Sequence, residues 1–374
     1  MSNELSLLFY LATFMMSATL VSLGLRKKIR FFTWLGLLIP ILISGFRYGV
    51  GTDYFNYINI FNNHIEMDLK AYTDINGIAE TGYFILEKVS YNLLGDARLV
   101  FLSTALLTIT FFYLGMKRYR LRYPGLIFFL YLLTIFPMTM NAVRQGVAMS
   151  IMFYAFTFIL EKKPLRYTLL TLLASLFHVS AVLLIPFYFV GRLVDVKKNS
   201  LLKDRLIAKS RYFIRIGVVS IVMLLIVANT FTLVTNIPGF EKYSSYLSLD
   251  EYGANYIFYV RLTILLVLML LARYVIFKGN YRQNAFIFAG AVIEVILLIL
   301  GFTSPFIKRE ALFFSPFLIM LLPNIIEIFS TKVSTRAVMY TLCLFYGVSF
   351  FTISYLTLNQ ADIIPYNLSV RSVE

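Results

Sequence analysis

The chain has 374 residues, of which 59% are hydrophobic and only 14% charged, with a mean hydropathy of +0.78. Soluble domains carry about 25% charged residues, so a soluble globular protein is excluded. A single cysteine, Cys343, and two histidines, His64 and His178, leave no disulfide framework, thiol metal site or histidine-rich metal site.

Apolar runs predict membrane-spanning helices near 5–25, 31–46, 97–116, 124–140, 142–160, 213–234, 257–277, 284–303, 311–329 and 337–357. The expected fold is therefore all-α, a polytopic membrane protein of about 10–11 transmembrane helices, read as one membrane domain over 1–374. The first run lacks a basic flank on its N-terminal side, so it reads as a span and not as a cleaved signal. The stretch 50–96 is rich in aromatics and holds an amphipathic piece, "GYFILEKVSYNLLG" at 82–95, expected to lie on the outer membrane surface.

The net charge of +15 is a topology signal. "RKKIR" (26–30) and "KRYRLR" (117–122) hold four Lys or Arg each, "EKKPLR" (161–166) three, and 192–215 eight. Loops on the opposite side are acidic, with Glu66, Asp68, Asp74, Glu80, Glu87 and Asp96. The positive-inside rule puts the basic segments in the cytoplasm, including a basic loop at 191–215, and puts 47–96 outside. No nucleic-acid partner is expected.

One apolar stretch, 167–190, has basic segments on both sides. It either crosses once or re-enters as a hairpin of two short helices with His178 near its tip; re-entry is the preferred reading. The sequence has no Walker A loop, no GxGxxG fingerprint, no zinc motif and no pair of related halves.

Four constellations carry chemistry. In "GFRYGVGTDYFNY" (45–57), Arg47 offers a cation, Asp53 an acceptor or base, and Tyr48 and Tyr54 faces for gripping sugar. The bland alternative is an interfacial tyrosine belt around a structural Arg47–Asp53 pair. In "NAVRQGVAMS" (141–150), Asn141, Arg144, Gln145 and Ala148 fall on one face if a helix begins near Asn141. A helix N-terminus beside an arginine suits an anion; the alternative is an arginine snorkelling to headgroups with Asn141 as a cap. Lys308 and Arg309 at the head of a span are a third element, with an interfacial anchor as the plain reading. The fourth is a pair of intramembrane groups, Glu294 and His178, each a site candidate or a satisfied structural partner. Arg47, Asp53, Glu80, Arg144 and Arg309 all fall on the expected outer side. With no Asp-x-Asp pair to hold a metal, arginines would have to neutralise a pyrophosphate.

The elements "RYGVGTDYFNYINIF" (47–61), "ETGYFIL" (80–86), "NAVRQGVAMSI" (141–151), "SLFHVSAVLLIPF" (175–187), 308–314 and "IIPYNL" (363–368) resemble, in order and spacing, the EpsG-like, Wzy-type polysaccharide polymerases of bacterial envelopes. That resemblance implies a multi-pass glycosyltransferase of the bacterial cytoplasmic membrane with an outward-facing site. It would join repeat units carried on undecaprenyl pyrophosphate into capsule, exopolysaccharide or O-antigen. Arg144, Arg309 and Arg47 would bind the pyrophosphate. Asp53 or His178 would be the base, with Glu80 a weaker candidate, and Tyr48, Tyr54, Asn141 and Gln145 would contact substrate. No metal or cofactor is expected; partners would be the lipid-linked oligosaccharide, membrane lipid and a chain-length regulator. The rivals are a lipid-linked glycan ligase, an acyltransferase and a polysaccharide flippase or other transporter.

Overall fold

The structure, a computed structural model, describes residues 1–193, 281–301, 305–329 and 333–368 and the single positions 214, 215, 218, 263 and 267. The expected spans at 213–234 and 257–277, and nearly all of the basic loop at 191–215, lie outside the described residues. The described elements are helical, with no strand longer than an isolated bridge. Five described helices are long and apolar enough to cross a membrane, and two shorter ones, Arg30–Gly45 and Pro124–Thr134, are predominantly apolar.

Two compact units emerge. The first comprises Met1–Tyr154, Leu173–Val179 and Ala337–Glu374. Its helices are α1 (Asn3–Lys27), α2 (Arg30–Gly45), α3 (Tyr54–His64), α4 (Leu69–Asn76), α5 (Thr81–Leu94), α6 (Arg98–Arg118), α7 (Pro124–Thr134) and α8 (Phe136–Asn141), then the start of α9 (Val143–Leu160). Residues 164–193 form α10 (Pro164–Ser175), a 3₁₀ turn at Val179–Leu184 and α11 (Phe187–Leu193). Beyond the undescribed stretch come α12 (Tyr281–Leu300), α13 (Pro305–Glu310), α14 (Ser315–Phe329) and α15 (Val333–Phe351).

Helices in lipid gain nothing from hiding apolar surface from each other, so close approach of small residues holds them together. The α1–α2 contact works this way. Ser17 donates to the Gly36 carbonyl at 2.6 Å, and a Cβ at Gly36 would sit 2.8 Å from the Ser17 carbonyl. Further along, Gly24 lies so close to Thr33 that a Cβ would meet its hydroxyl at 2.2 Å. In the second unit, Ala155–Leu172 and Ser180–Arg336, Phe156 centres an aromatic cluster with Phe187, Phe286, Phe314 and Phe317, and Ser315 donates to the buried Glu294 at 2.9 Å.

Two expectations change. The run 124–140 is not one helix: α7 stops at Thr134 and α8 begins at Phe136. Pro137, without an N–H and with a ring that crowds the preceding turn, breaks it there. The helix expected to begin near Asn141 begins at Val143 instead, because Ala142 leaves helical geometry at φ −82°, ψ 62°. Asn141 therefore closes α8 and does not share the Arg144 face.

The amphipathic piece at 82–95 is a helix, α5, as expected. It buries Tyr83, Phe84 and Glu87 and exposes an apolar stripe of Ile85, Val89 and Leu93.

Candidate active site

The site is built on the first residues of α5. Glu80 caps that helix in the left-handed region, φ 60°, ψ 15°, where a side chain is disfavoured and the strain must be held by its surroundings. What holds it is tertiary. The Gly82 N–H donates to the Leu176 carbonyl at 2.9 Å, and a Cβ at Gly82 would lie 3.0 Å from that oxygen. Glycine thus lets the end of α10 close onto α5, which brings His178 to Glu80.

The buried Glu80 carboxylate bridges two partners. Its Oε2 accepts from Arg144 Nη1, and its Oε1 lies 3.5 Å from His178 Nδ1. The side chains are 2%, 28% and 14% exposed for Glu80, Arg144 and His178. The carboxylate is interior, while the cation and the imidazole reach solvent.

Arg144 is the second residue of α9. Its guanidinium sits over the rings of Tyr57 and Tyr83 at 5.8 and 5.6 Å, each a favourable cation–π contact. Tyr57 also fixes the helix start, since its hydroxyl accepts from the Val143 N–H at 3.1 Å. Asp53 stands one turn before Tyr57 at the cap of α3, partly exposed; its carboxylate forms no hydrogen bond or ion pair among the described residues.

A second pair supports the first. His64 Nδ1 meets Glu87 Oε2 at 2.6 Å. Glu87 lies two turns beyond Glu80 on the same face of α5, and burial raises its pKa above the usual carboxylate value while His64 and Arg144 pull it down. His64 also stands edge-on to Tyr72 and Phe84, which stack at 4.3 Å. This pair was not foreseen. The signal present in the sequence was the seven-residue spacing of Glu80 and Glu87 with aromatics between.

Arg47 takes a different part from the one expected. It is 2% exposed. Its Nη1 donates to the Ser44 carbonyl and hydroxyl at 3.1 and 2.6 Å, and Nη2 donates to the Met140 carbonyl at 2.7 Å. The guanidinium packs 4.7 Å from the Phe101 ring. Arg47 ties α2 to α8, and no Arg47–Asp53 ion pair forms among the described residues. Tyr54 is buried against Phe101 at 5.1 Å, whereas Tyr48 is exposed.

Asn141 and Gln145, expected at substrate, are both buried. The Asn141 amide donates to the Ala361 carbonyl at 3.0 Å, and its Oδ1 lies where a Cβ of Gly51 would be, 2.5 Å away. Gly51, at φ 106°, is required on both counts.

The C-terminal "IIPYNL" completes this frame. Gly51 N–H donates to the Asp362 carbonyl at 2.8 Å and Tyr48 N–H to the Asn367 carbonyl at 3.0 Å. Tyr366 binds Ser6 and Ile43. The opening and closing motifs therefore lie against one another.

Arg309 and Lys308 are exposed on α13 in the second unit, beside the buried Glu310. The role expected of Arg309 as a phosphate ligand rests on the sequence alone. Among the described residues, no group of three or more His, Cys, Asp or Glu side chains is arranged to hold a metal ion.

Fold and site define a class: an all-helical, polytopic membrane protein with an arginine–carboxylate–histidine cluster where the heads of α5 and α9 meet the chain after α10. Residues 29–368 match the EpsG family, and the chain belongs to it, a family of Wzy-type polysaccharide polymerase-like proteins. No curated protein and no solved structure matches the chain.

Proposed function

We propose that this protein is a polysaccharide polymerase of the bacterial cytoplasmic membrane that transfers a growing glycan from undecaprenyl pyrophosphate to a second lipid-linked repeat unit. The observation that carries the reading is the Glu80 bridge between Arg144 and His178.

The chemistry follows from the three side chains. Arg144 keeps a permanent charge and a partly exposed fork of donors beside Glu80, suited to a pyrophosphate. Glu80 has both oxygens engaged and is buried, so it positions its neighbours and does not itself reach a substrate. His178 directs Nδ1 towards Glu80, which leaves Nε2 as the proton acceptor. In the reaction, the acceptor hydroxyl oxygen attacks the anomeric carbon and its proton passes to His178. The bond from that carbon to the pyrophosphate oxygen breaks, and the leaving undecaprenyl pyrophosphate takes the electron pair. Arg144 offsets the charge that develops on it. Asp53, partly exposed at the cap of α3 one turn before Tyr57, is the second base candidate and holds the acceptor hydroxyl in this scheme.

The orientation has support within the first unit. The segments "RKKIR" and "KRYRLR" lie at the helix ends opposite Glu80 and Arg144. With the basic end in the cytoplasm, the site faces outward, where lipid-linked repeats are polymerised.

The test is the product made by reconstituted protein from a defined lipid-linked repeat. The wild type should give a ladder of chain lengths, and Arg144→Ala and His178→Ala, folded to the same level, should leave single repeats. Normal ladders from both variants overturn the assignment. Full-length polymer accumulating on the carrier in a deletion strain would instead favour a ligase, and repeats trapped on the cytoplasmic side would favour a flippase.

A further inference from the structure

At the opposite end of the first unit, α1, α7 and α15 line a half-open cavity of about 370 Å³. This lies within the range of small-molecule pockets. Met15, Phe129 and Leu344 line its apolar part, and Ser22, Arg26 and Tyr340 its polar part. The α1–α7 contact beside it is tight: a Cβ on Gly125 would meet Ser22 at 2.7 Å.

Two observations say what covers it. First, among the described helices long and apolar enough to cross a membrane, α1 and the span Val333–Thr357 that begins with α15 are the least buried, at 33% and 22% of their most apolar windows. Met15 and Leu23 on α1 and Val338, Leu342 and Phe345 on α15 are exposed. Such a surface faces hydrocarbon, and an unfilled apolar cleft there forfeits dispersion contacts that a chain would supply. Second, the mouth is cationic and aromatic. Arg26 lies within electrostatic reach of the Tyr340 hydroxyl, Tyr123 stands 6.3 Å from Tyr340, and Arg122 lies over the Tyr123 ring at 6.0 Å. Lys27, Lys28 and Arg30 follow Arg26 directly. Basic pockets between spanning helices bind anionic headgroups, and aromatic rings mark headgroup depth.

We propose that this cavity is a binding site for an anionic phospholipid, with one acyl chain between α1 and α15 and the headgroup phosphate on Arg26. The site is separate from the polymerase centre and does not depend on that assignment.

The experiment uses the full chain purified in a neutral detergent. Phosphatidylglycerol and phosphatidylcholine of matched chains are added, and both melting temperature and lipid adducts by native mass spectrometry are read. Phosphatidylglycerol should raise the melting temperature by several degrees and stay bound as one adduct, and phosphatidylcholine should do neither. Arg26→Gln should lose most of the phosphatidylglycerol shift. Thr19→Trp, which fills the cavity from an exposed position, should lose the adduct while folding normally. Equal response to both lipids, an unchanged shift in Arg26→Gln, or stronger retention of an isoprenyl pyrophosphate than of phosphatidylglycerol would each overturn the proposal.

Discussion

Glu80 and Arg144, 64 residues apart in sequence, form an ion pair in which the carboxylate is buried and the guanidinium is partly open. The asymmetry matters. A carboxylate with one oxygen on Arg144 and the other towards His178 has little freedom left, so it fixes the geometry of two groups that can still meet a substrate.

The pair should show measurable coupling. Glu80→Gln, Arg144→Gln and the double variant, unfolded by denaturant in detergent, should give an interaction free energy of about 0.5–3 kcal/mol. Arg144→Lys should not restore polymerisation, because an ammonium lacks the planar fork. A coupling near zero would mean that the contact is incidental.

Gly82 should be intolerant of even one carbon. Gly82→Ala places a Cβ 3.0 Å from the Leu176 carbonyl and forces α10 away from α5, at a cost of about 1–3 kcal/mol. Chain-length distribution should shorten more than stability falls, since His178 leaves Glu80. Full activity in a protein of unchanged denaturation midpoint would refute this placement of His178.

Arg47→Ala should act on folding. It leaves the Ser44 and Met140 carbonyls unpaired in the interior, at about 1–3 kcal/mol each. The yield of monodisperse protein should fall, and the fraction that folds should keep the wild-type KM for the lipid-linked repeat. A raised KM with normal yield would return Arg47 to the role of pyrophosphate ligand.

Glu310 should set a pH slope on stability. Burial raises its carboxyl from 4.5 to about 8, opposed by the Ser180 hydroxyl and the Arg309 charge. Above pH 4.5 the unfolded chain has released a proton that the folded state retains. Its stabilising contribution is therefore complete below about 4.5 and is lost as pH rises through about 8. Unfolding measured across this window should flatten in Glu310→Gln; an identical slope in both proteins would contradict the burial of this group.

The amino-acid sequence by itself determined the class of fold, the positions of most described spans, the helix at 81–94 and the residues from which a site could be built. It did so because a lipid solvent demands long apolar helices, and because loop charge is written directly in composition. It also displayed Arg144, Glu80 and His178 individually, through unusual residue types near helix ends. Tertiary structure alone decided which of them meet. The Glu80–His178 contact needs Gly82 against Leu176, a close approach that no local pattern encodes. Arg47 looked equivalent to Arg144 in sequence, and only the convergence of α2 and α8 showed that both its Nη atoms are engaged in the interior by Ser44 and Met140. Asn141 left the Arg144 face because the backbone turned at Ala142, a break that the helical spacing of the side chains does not display.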